Sequence, residues 1–150
     1  VPLIINDNVK LAKEIDADGV HLGQDDLDIK AAREYLGADK IIGVSAHNVK
    51  EALEAENGGA DYLGSGAAFV TSTKTDAGAI DHKVLSDVAH SVKIPVVAIG
   101  GINKDNISQL EGLGLDGVAV VSAIFAADDI SSAVIDLKAK AEKVAESSVK

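Results

Sequence analysis

Six short apolar runs, set too far apart for hairpins, constrain the fold of this chain more than any other feature. They are Val-Pro-Leu-Ile-Ile (1–5), Gly-Val-His-Leu (19–22), Lys-Ile-Ile-Gly-Val (40–44), Asp-Tyr-Leu-Gly (61–64), Pro-Val-Val-Ala-Ile (95–99) and Asp-Gly-Val-Ala-Val-Val (116–121). Several are apolar throughout rather than alternating, the pattern of strands covered on both faces in a parallel sheet. Between them lie stretches of helical periodicity at 8–15, 28–36, 48–57, 82–92 and 104–113, and a long one from about Asp129. Strand and helix alternate along the whole chain, which implies an α/β fold with parallel strands. A weak internal echo supports it: Ala17-Asp18-Gly19-Val20, Ala60-Asp61-Tyr62-Leu63 and Leu115-Asp116-Gly117-Val118 each leave a helix and enter a strand. Their Asp and Gly residues suit helix exits and tight turns. No Pro/Ser-rich linker divides the chain, and 1–150 reads as a single domain. Two closures fit, a doubly wound open sheet and a (β/α)8 TIM barrel. At roughly 25 residues per unit a complete barrel needs about 200 residues or more, so 150 residues hold about six units.

Composition narrows the function classes. With 47% hydrophobic residues the chain can bury a core. A formal charge of −10, with no local Lys/Arg run, disfavours nucleic acid and anionic membrane surfaces as partners. The absence of cysteine excludes disulfides and thiolate metal sites. No apolar run approaches the ~20 residues of a membrane-spanning helix, so a cytoplasmic protein is expected. The chain contains no Met and opens inside an apolar run, so a fragment of a longer protein or a processed chain is expected.

In a parallel α/β fold every strand's carboxyl end lies on one face, where ligands bind. The residues just after each apolar run are therefore informative. Asn6-Asp7 come after the first, Gly23-Gln24-Asp25-Asp26 after the second, Ser45-Ala46-His47 after the third, and Gly66 to Asp76 after the fourth. Gly100-Gly101 come after the fifth and Ser122 after the sixth. The opposite ends carry only turn residues. The rim residues suit phosphate: the hydroxyls of Thr71, Ser72 and Thr73 can donate to phosphoryl oxygens beside the mobile charge of Lys74. Two glycines after the fifth run allow close backbone approach to a ligand, and Ser122 joins them in the position of a barrel's phosphate site. Asp7 and Asp26 suit Mg2+, which takes one or two carboxylates together with phosphate oxygens and water. Two anion sites and one metal imply two phosphorylated substrates.

Simpler roles account for some of these residues. Asp7, Asn8, Asp28, Asn48 and Asn103 all stand at expected helix starts, where capping is sufficient reason. Asn48 with Glu51 has the form of a capping box. For Asp7 a cap and a metal ligand are both open. His21 falls inside a strand, where packing is the expected role, and His82 and His90 fall on a helix away from the rim. The four histidines show no zinc spacing, and no nucleophile elbow, Walker loop or strand-linked dinucleotide motif is present.

Taken in order, Ile-Ile-Asn-Asp (4–7), Gly-Val-His-Leu-Gly-Gln-Asp-Asp (19–26), Gly-Val-Ser-Ala-His (43–47), Thr-Ser-Thr-Lys (71–74), Val-Val-Ala-Ile-Gly-Gly-Ile (96–102) and Gly-Val-Ala-Val-Val-Ser-Ala-Ile (117–124) closely resemble thiamine-phosphate synthase, also called thiamine phosphate pyrophosphorylase. The resemblance runs from Val1 to about Phe125. It implies the (β/α)8 TIM barrel, here strands 3 to 8 with the N-terminal part lacking. It also implies a transferase that joins hydroxymethylpyrimidine pyrophosphate to thiazole phosphate, giving thiamine monophosphate and pyrophosphate. Carried over residue by residue, Asp7 and Asp26 would bind Mg2+. Asn6, Ser45, Thr71, Thr73 and Lys74 would surround the pyrophosphate or its reacting carbon, with Lys74 and Ser45 in catalytic roles. Gly101, Val121 and Ser122 would hold the thiazole phosphate. Mg2+ and Lys74 would stabilise the departing pyrophosphate as a pyrimidine cation forms and is attacked by the thiazole nitrogen.

The sequence departs from the family in places. Ala67 and Val70 stand where prolines are common, a change expected to loosen that loop, and the family's early Gln-x-Arg-x-Lys motif has no counterpart here. Related thiazole tautomerases share the scaffold, but Thr-Ser-Thr-Lys and Gly-Gln-Asp-Asp favour the synthase. A non-catalytic phosphate-binding or self-assembling barrel fragment is the alternative of another class. Six units leave unpaired strand edges at both ends, so a homo-oligomer or association with a missing N-terminal segment is expected.

Overall fold

The computed structural model describes residues 1–70 and 80–148. Six strands form one sheet: β1 (Ile4–Asn6), β2 (Gly19–Leu22), β3 (Ile41–Ser45), β4 (Tyr62–Gly66), β5 (Val96–Ile99) and β6 (Gly117–Ala119). Each pairs in parallel with the next, in chain order. The connections carry α1 (Val9–Glu14), α2 (Ile29–Leu36), α3 (Val49–Gly58) and α4 (His82–Ser91), while α5 (Ser122–Phe125) and α6 (Ile130–Glu146) come after β6.

The sequential order decides between the two closures. Crossovers between parallel strands are right-handed, so an order that never reverses places every helix on the same face, whereas a doubly wound sheet must reverse. The sheet therefore curls as six consecutive units of a (β/α)8 TIM-type barrel. Its helix-facing side carries Val20 and Leu22, Ile42 and Val44, Leu63, and Val96 and Ala98, all buried in the core beneath the helices. Ser65 shares this side. It is fully buried and its hydroxyl has no hydrogen-bond partner among the described residues, an arrangement that costs about 1–3 kcal/mol. The opposite, concave side carries Asn6, His21, Gly43, Ser45, Tyr62 and Gly64, which adjoin through the registers Asn6–His21–Gly43–Tyr62 and Ser45–Gly64.

Helix starts obey the sequence. Asn8 caps α1 by accepting from the Leu11 N–H, so this role does not fall to Asp7. Asp28, Asn48, Asp81 and Asp129 cap α2, α3, α4 and α6 in the same way. The stretch 104–113 differs from expectation. It forms only a single 3-10 turn, Ile107–Leu110. Its start is held by local Asx bonds, Asn103 Oδ1 accepting from Asp105 and Asn106 Oδ1 from Asn103. Its end meets Gly112 and Gly114 at φ 76° and 82°, left-handed conformations in which no helix continues.

The three echoed aspartates do more than make turns. Asp18, Asp61 and Asp116 each accept, through Oδ2, the N–H of Leu3, Ile42 and Val96 near the start of the preceding strand, at 2.6–2.7 Å. Each also donates its own N–H to the carbonyl of that same residue, at 2.8–3.0 Å. The pairs β1–β2, β3–β4 and β5–β6 are thereby clipped at the end away from the rim.

Candidate active site

The carboxyl ends of all six strands face one rim, and Asn6, Asp7, Asp26, Ser45, Gly101, Val121 and Ser122 all lie on it or in the loops that leave it. Thr71, Thr73 and Lys74 fall outside the described residues, and with them the core of the polar loop after β4.

Around this rim the segment leaving each of several strands is joined to the neighbouring strand or loop. The Asp7 N–H donates to the His21 carbonyl at 2.8 Å, and Gln24 Nε2 to the Ser45 carbonyl at 2.5 Å. Ala46 N–H donates to Gly64, and Phe69 N–H to Gly100. At the last of these joints the two glycines are required. Gly100 and Gly101 have φ of 100° and 65°, and a Cβ on Gly101 would stand 2.7 Å from the Phe69 carbonyl oxygen. Beyond Gly101, Asn103 and Lys104 share with Ser122 the lining of an open hollow of about 580 Å³. Asp105, Asp128 and Asp136 line it as well. Their negative charge disfavours an anion within the hollow.

Asp7 directly follows β1, and Asp26 lies in the loop that leaves the adjacent β2. Asp7 adopts φ 62°, a left-handed conformation that costs most side chains about 1–2 kcal/mol. Asp26 accepts from the Gly23 N–H through Oδ2 at 2.6 Å, which folds its loop back over the end of β2. Both are exposed. Among the described residues no cluster of three His, Cys, Asp or Glu side chains could hold a metal. Exposed carboxylates are ligands of the type that Mg2+ takes one or two at a time, beside water and phosphate oxygens.

Ser45 belongs to a network that sequence reasoning did not find. His21 Nε2 lies 3.0 Å from Ser45 Oγ, and His21 Nδ1 lies 2.9 Å from the Tyr62 hydroxyl. All three side chains are half-buried on the concave side. Burial holds the imidazole below its ordinary pKa, an effect that the charge of Asp26 only partly offsets. Burial likewise pushes the Tyr62 phenol up. The signal lay in the run Val-His-Leu, where period-two alternation turns His21 away from its two core neighbours. His82 also differs from expectation. It begins α4 and packs against the loop after β4, with its ring edge-on to Phe69 at 5.1 Å and Nε2 3.3 Å from the Ala68 carbonyl.

Comparison with known proteins identifies the family. The family model described as thiamine monophosphate synthase matches residues 1–124. The chain is 55% identical over 130 residues to thiamine-phosphate synthase of Clostridium acetobutylicum, covering 87% of this chain and 62% of that protein. It is 51% identical over 138 residues to the Clostridium beijerinckii enzyme of the same name, covering 92% and 66%. Thiamine phosphate pyrophosphorylase from Pyrococcus furiosus superposes with a TM-score of 0.84 at 47% identity, over 94% of this chain and 67% of that one. The chain thus spans about two thirds of the length of the relatives it matches. Profile, identity and superposition cover the same strands that bring Asn6, Asp7, Asp26 and Ser45 to one rim, and the chain belongs to the thiamine monophosphate synthase family.

Proposed function

We propose that this chain carries the larger part of a site that joins hydroxymethylpyrimidine pyrophosphate to thiazole phosphate, releasing thiamine monophosphate and pyrophosphate. The observation that carries the reading is the placement of Asn6 and Ser45 at the carboxyl ends of β1 and β3, and of Asp7 and Asp26 in the loops that leave β1 and β2. Membership of the family and relatives named thiamine-phosphate synthase support the transferase reading.

On this reading Asp7 and Asp26 hold Mg2+, which when bound neutralises charge on the pyrophosphate as it leaves. Asn6 and Ser45 hydrogen-bond the pyrimidine substrate at the ends of β1 and β3. Lys74 adds a point charge to the pyrophosphate, and Thr71 and Thr73 donate hydroxyls to it. Gly101 and Val121 offer backbone and Ser122 its hydroxyl to the thiazole phosphate. Bond formation at the thiazole nitrogen needs no proton abstracted by the protein, in keeping with a rim built of anion binders.

Isothermal titration of the 150-residue chain with pyrophosphate, with and without Mg2+, tests the site. Binding is expected to depend on Mg2+ and to weaken at least tenfold in Asp26→Ala, about the effect of losing one charged ligand. Binding indifferent to Mg2+, or unchanged in Asp26→Ala, would remove the reading.

A further inference from the structure

We propose that Tyr62 and His21 form a hydrogen-bond relay that fixes the Ser45 hydroxyl as a donor to an anionic ligand at the rim. The relay rests on the reading of that rim as a pyrophosphate site and adds to it two residues that the rim alone does not include.

The direction of the relay is decided by counting protons. Each hydroxyl has one to give, and a neutral imidazole has one N–H. If Nδ1 carried the ring proton it would donate to Tyr62, and Nε2 would accept the only proton of Ser45. Ser45 would then face an arriving anion with lone pairs alone, and the half-buried Tyr62 proton would lose the ring nitrogen as its acceptor. An unpaired buried donor is costly. In the opposite sense Tyr62 donates to Nδ1, Nε2–H donates to Ser45, and the Ser45 proton points out to the rim. Every proton is then used. A doubly protonated ring also donates to Ser45, so the hydroxyl points outward whatever the charge of the imidazole.

Packing sets the relay in place before any ligand arrives. The Tyr62 ring lies over Gly43 so closely that a Cβ there would stand 2.1 Å from it. The His21 ring lies against Gly64, where a Cβ would stand 3.1 Å from Cε1. Donors fixed in this way cost no reorganisation when charge arrives. The chain of contacts steps from the first residue of β4 through the middle of β2 to the last residue of β3, from within the concave side up to its edge.

Nitrogen-15 NMR of His21 in the 150-residue chain, assigned by loss of its signals in His21→Asn, reads the relay directly. Nε2 is expected to carry a proton both with and without pyrophosphate; a bare Nε2 overturns the inference. Pyrophosphate titration gives the second arm. Tyr62→Phe keeps the ring and removes the hydroxyl, and is expected to weaken binding about two- to tenfold. In a Ser45→Ala background the same substitution is expected to cost nothing further, because a positioning residue acts only through the group it positions. Equal cost in both backgrounds would overturn the relay. Failure of the unsubstituted chain to bind pyrophosphate would instead count against the proposed function, and the Nε2 proton would still decide the relay.

Discussion

Single side chains at this site depend on neighbours that have none. Tyr62 reaches His21 only because position 43 is glycine, so Gly43→Ala must displace the ring or the strand. Overpacking of this kind costs about 1–3 kcal/mol. Urea denaturation is expected to show that loss, and the His21 resonances are expected to shift with it; a variant as stable as the parent would show that the ring is not held there. Glycine is also why this face was hard to read in the sequence. In Ile-Ile-Gly-Val and Tyr-Leu-Gly-Ser a glycine occupies a position where a polar residue would have revealed alternation, so the runs look apolar on both sides. The rim positions of Asn6, Asp7, Asp26 and Ser45 were legible because these residues stand at or beyond strand ends. His21 and Tyr62 were not, since they sit within strands and matter through each other.

At the level of elements, α3 shows how local chemistry written in a few residues fixes a helix start beside the site. Asn48 Oδ1 accepts from the Glu51 N–H at 3.0 Å, as the capping box requires. Glu51 answers one residue further back than expected, taking the His47 N–H at 2.7 Å, together with the His47 ring and the Asn48 amide. Burial pushes the Glu51 carboxyl up, but these hydrogen bonds from His47 and Asn48 outweigh it and hold the group below its ordinary value. A carboxyl with a lower pKa folded than unfolded contributes stability above its unfolded pKa and loses it as the pH falls through the folded one. Glu51→Gln is therefore expected to be less stable than the parent at neutral pH, with the gap closing in acid. Thermal unfolding across that range measures it, and a gap that stays constant would show that the carboxylate is not involved. Helices with such starts were plain in the sequence. The stretch 104–113 was not, because Ile107, Leu110 and Leu113 keep a helical spacing while two left-handed glycines cut the helix short.

Viewed whole, the molecule is a curved sheet with two edges. Within the described sheet β1 and β6 each pair with one neighbour only. Large apolar side chains stand exposed close to both in the chain: Leu3 just before β1, and Phe125 in the short helix after β6. Open strand edges beside apolar surface favour association. Light scattering on the isolated chain is expected to give a mass above 15.3 kDa; a monodisperse monomer of that mass would count against it. The order of strands was legible in the sequence because the apolar runs are separated by stretches long enough to cross over. The aspartate clips were visible there only as turn residues, since a carboxylate that spans to the previous strand leaves no local mark. The three carboxylate locks lie at the pole opposite the candidate site, so substitutions among the rim side chains leave those locks untouched.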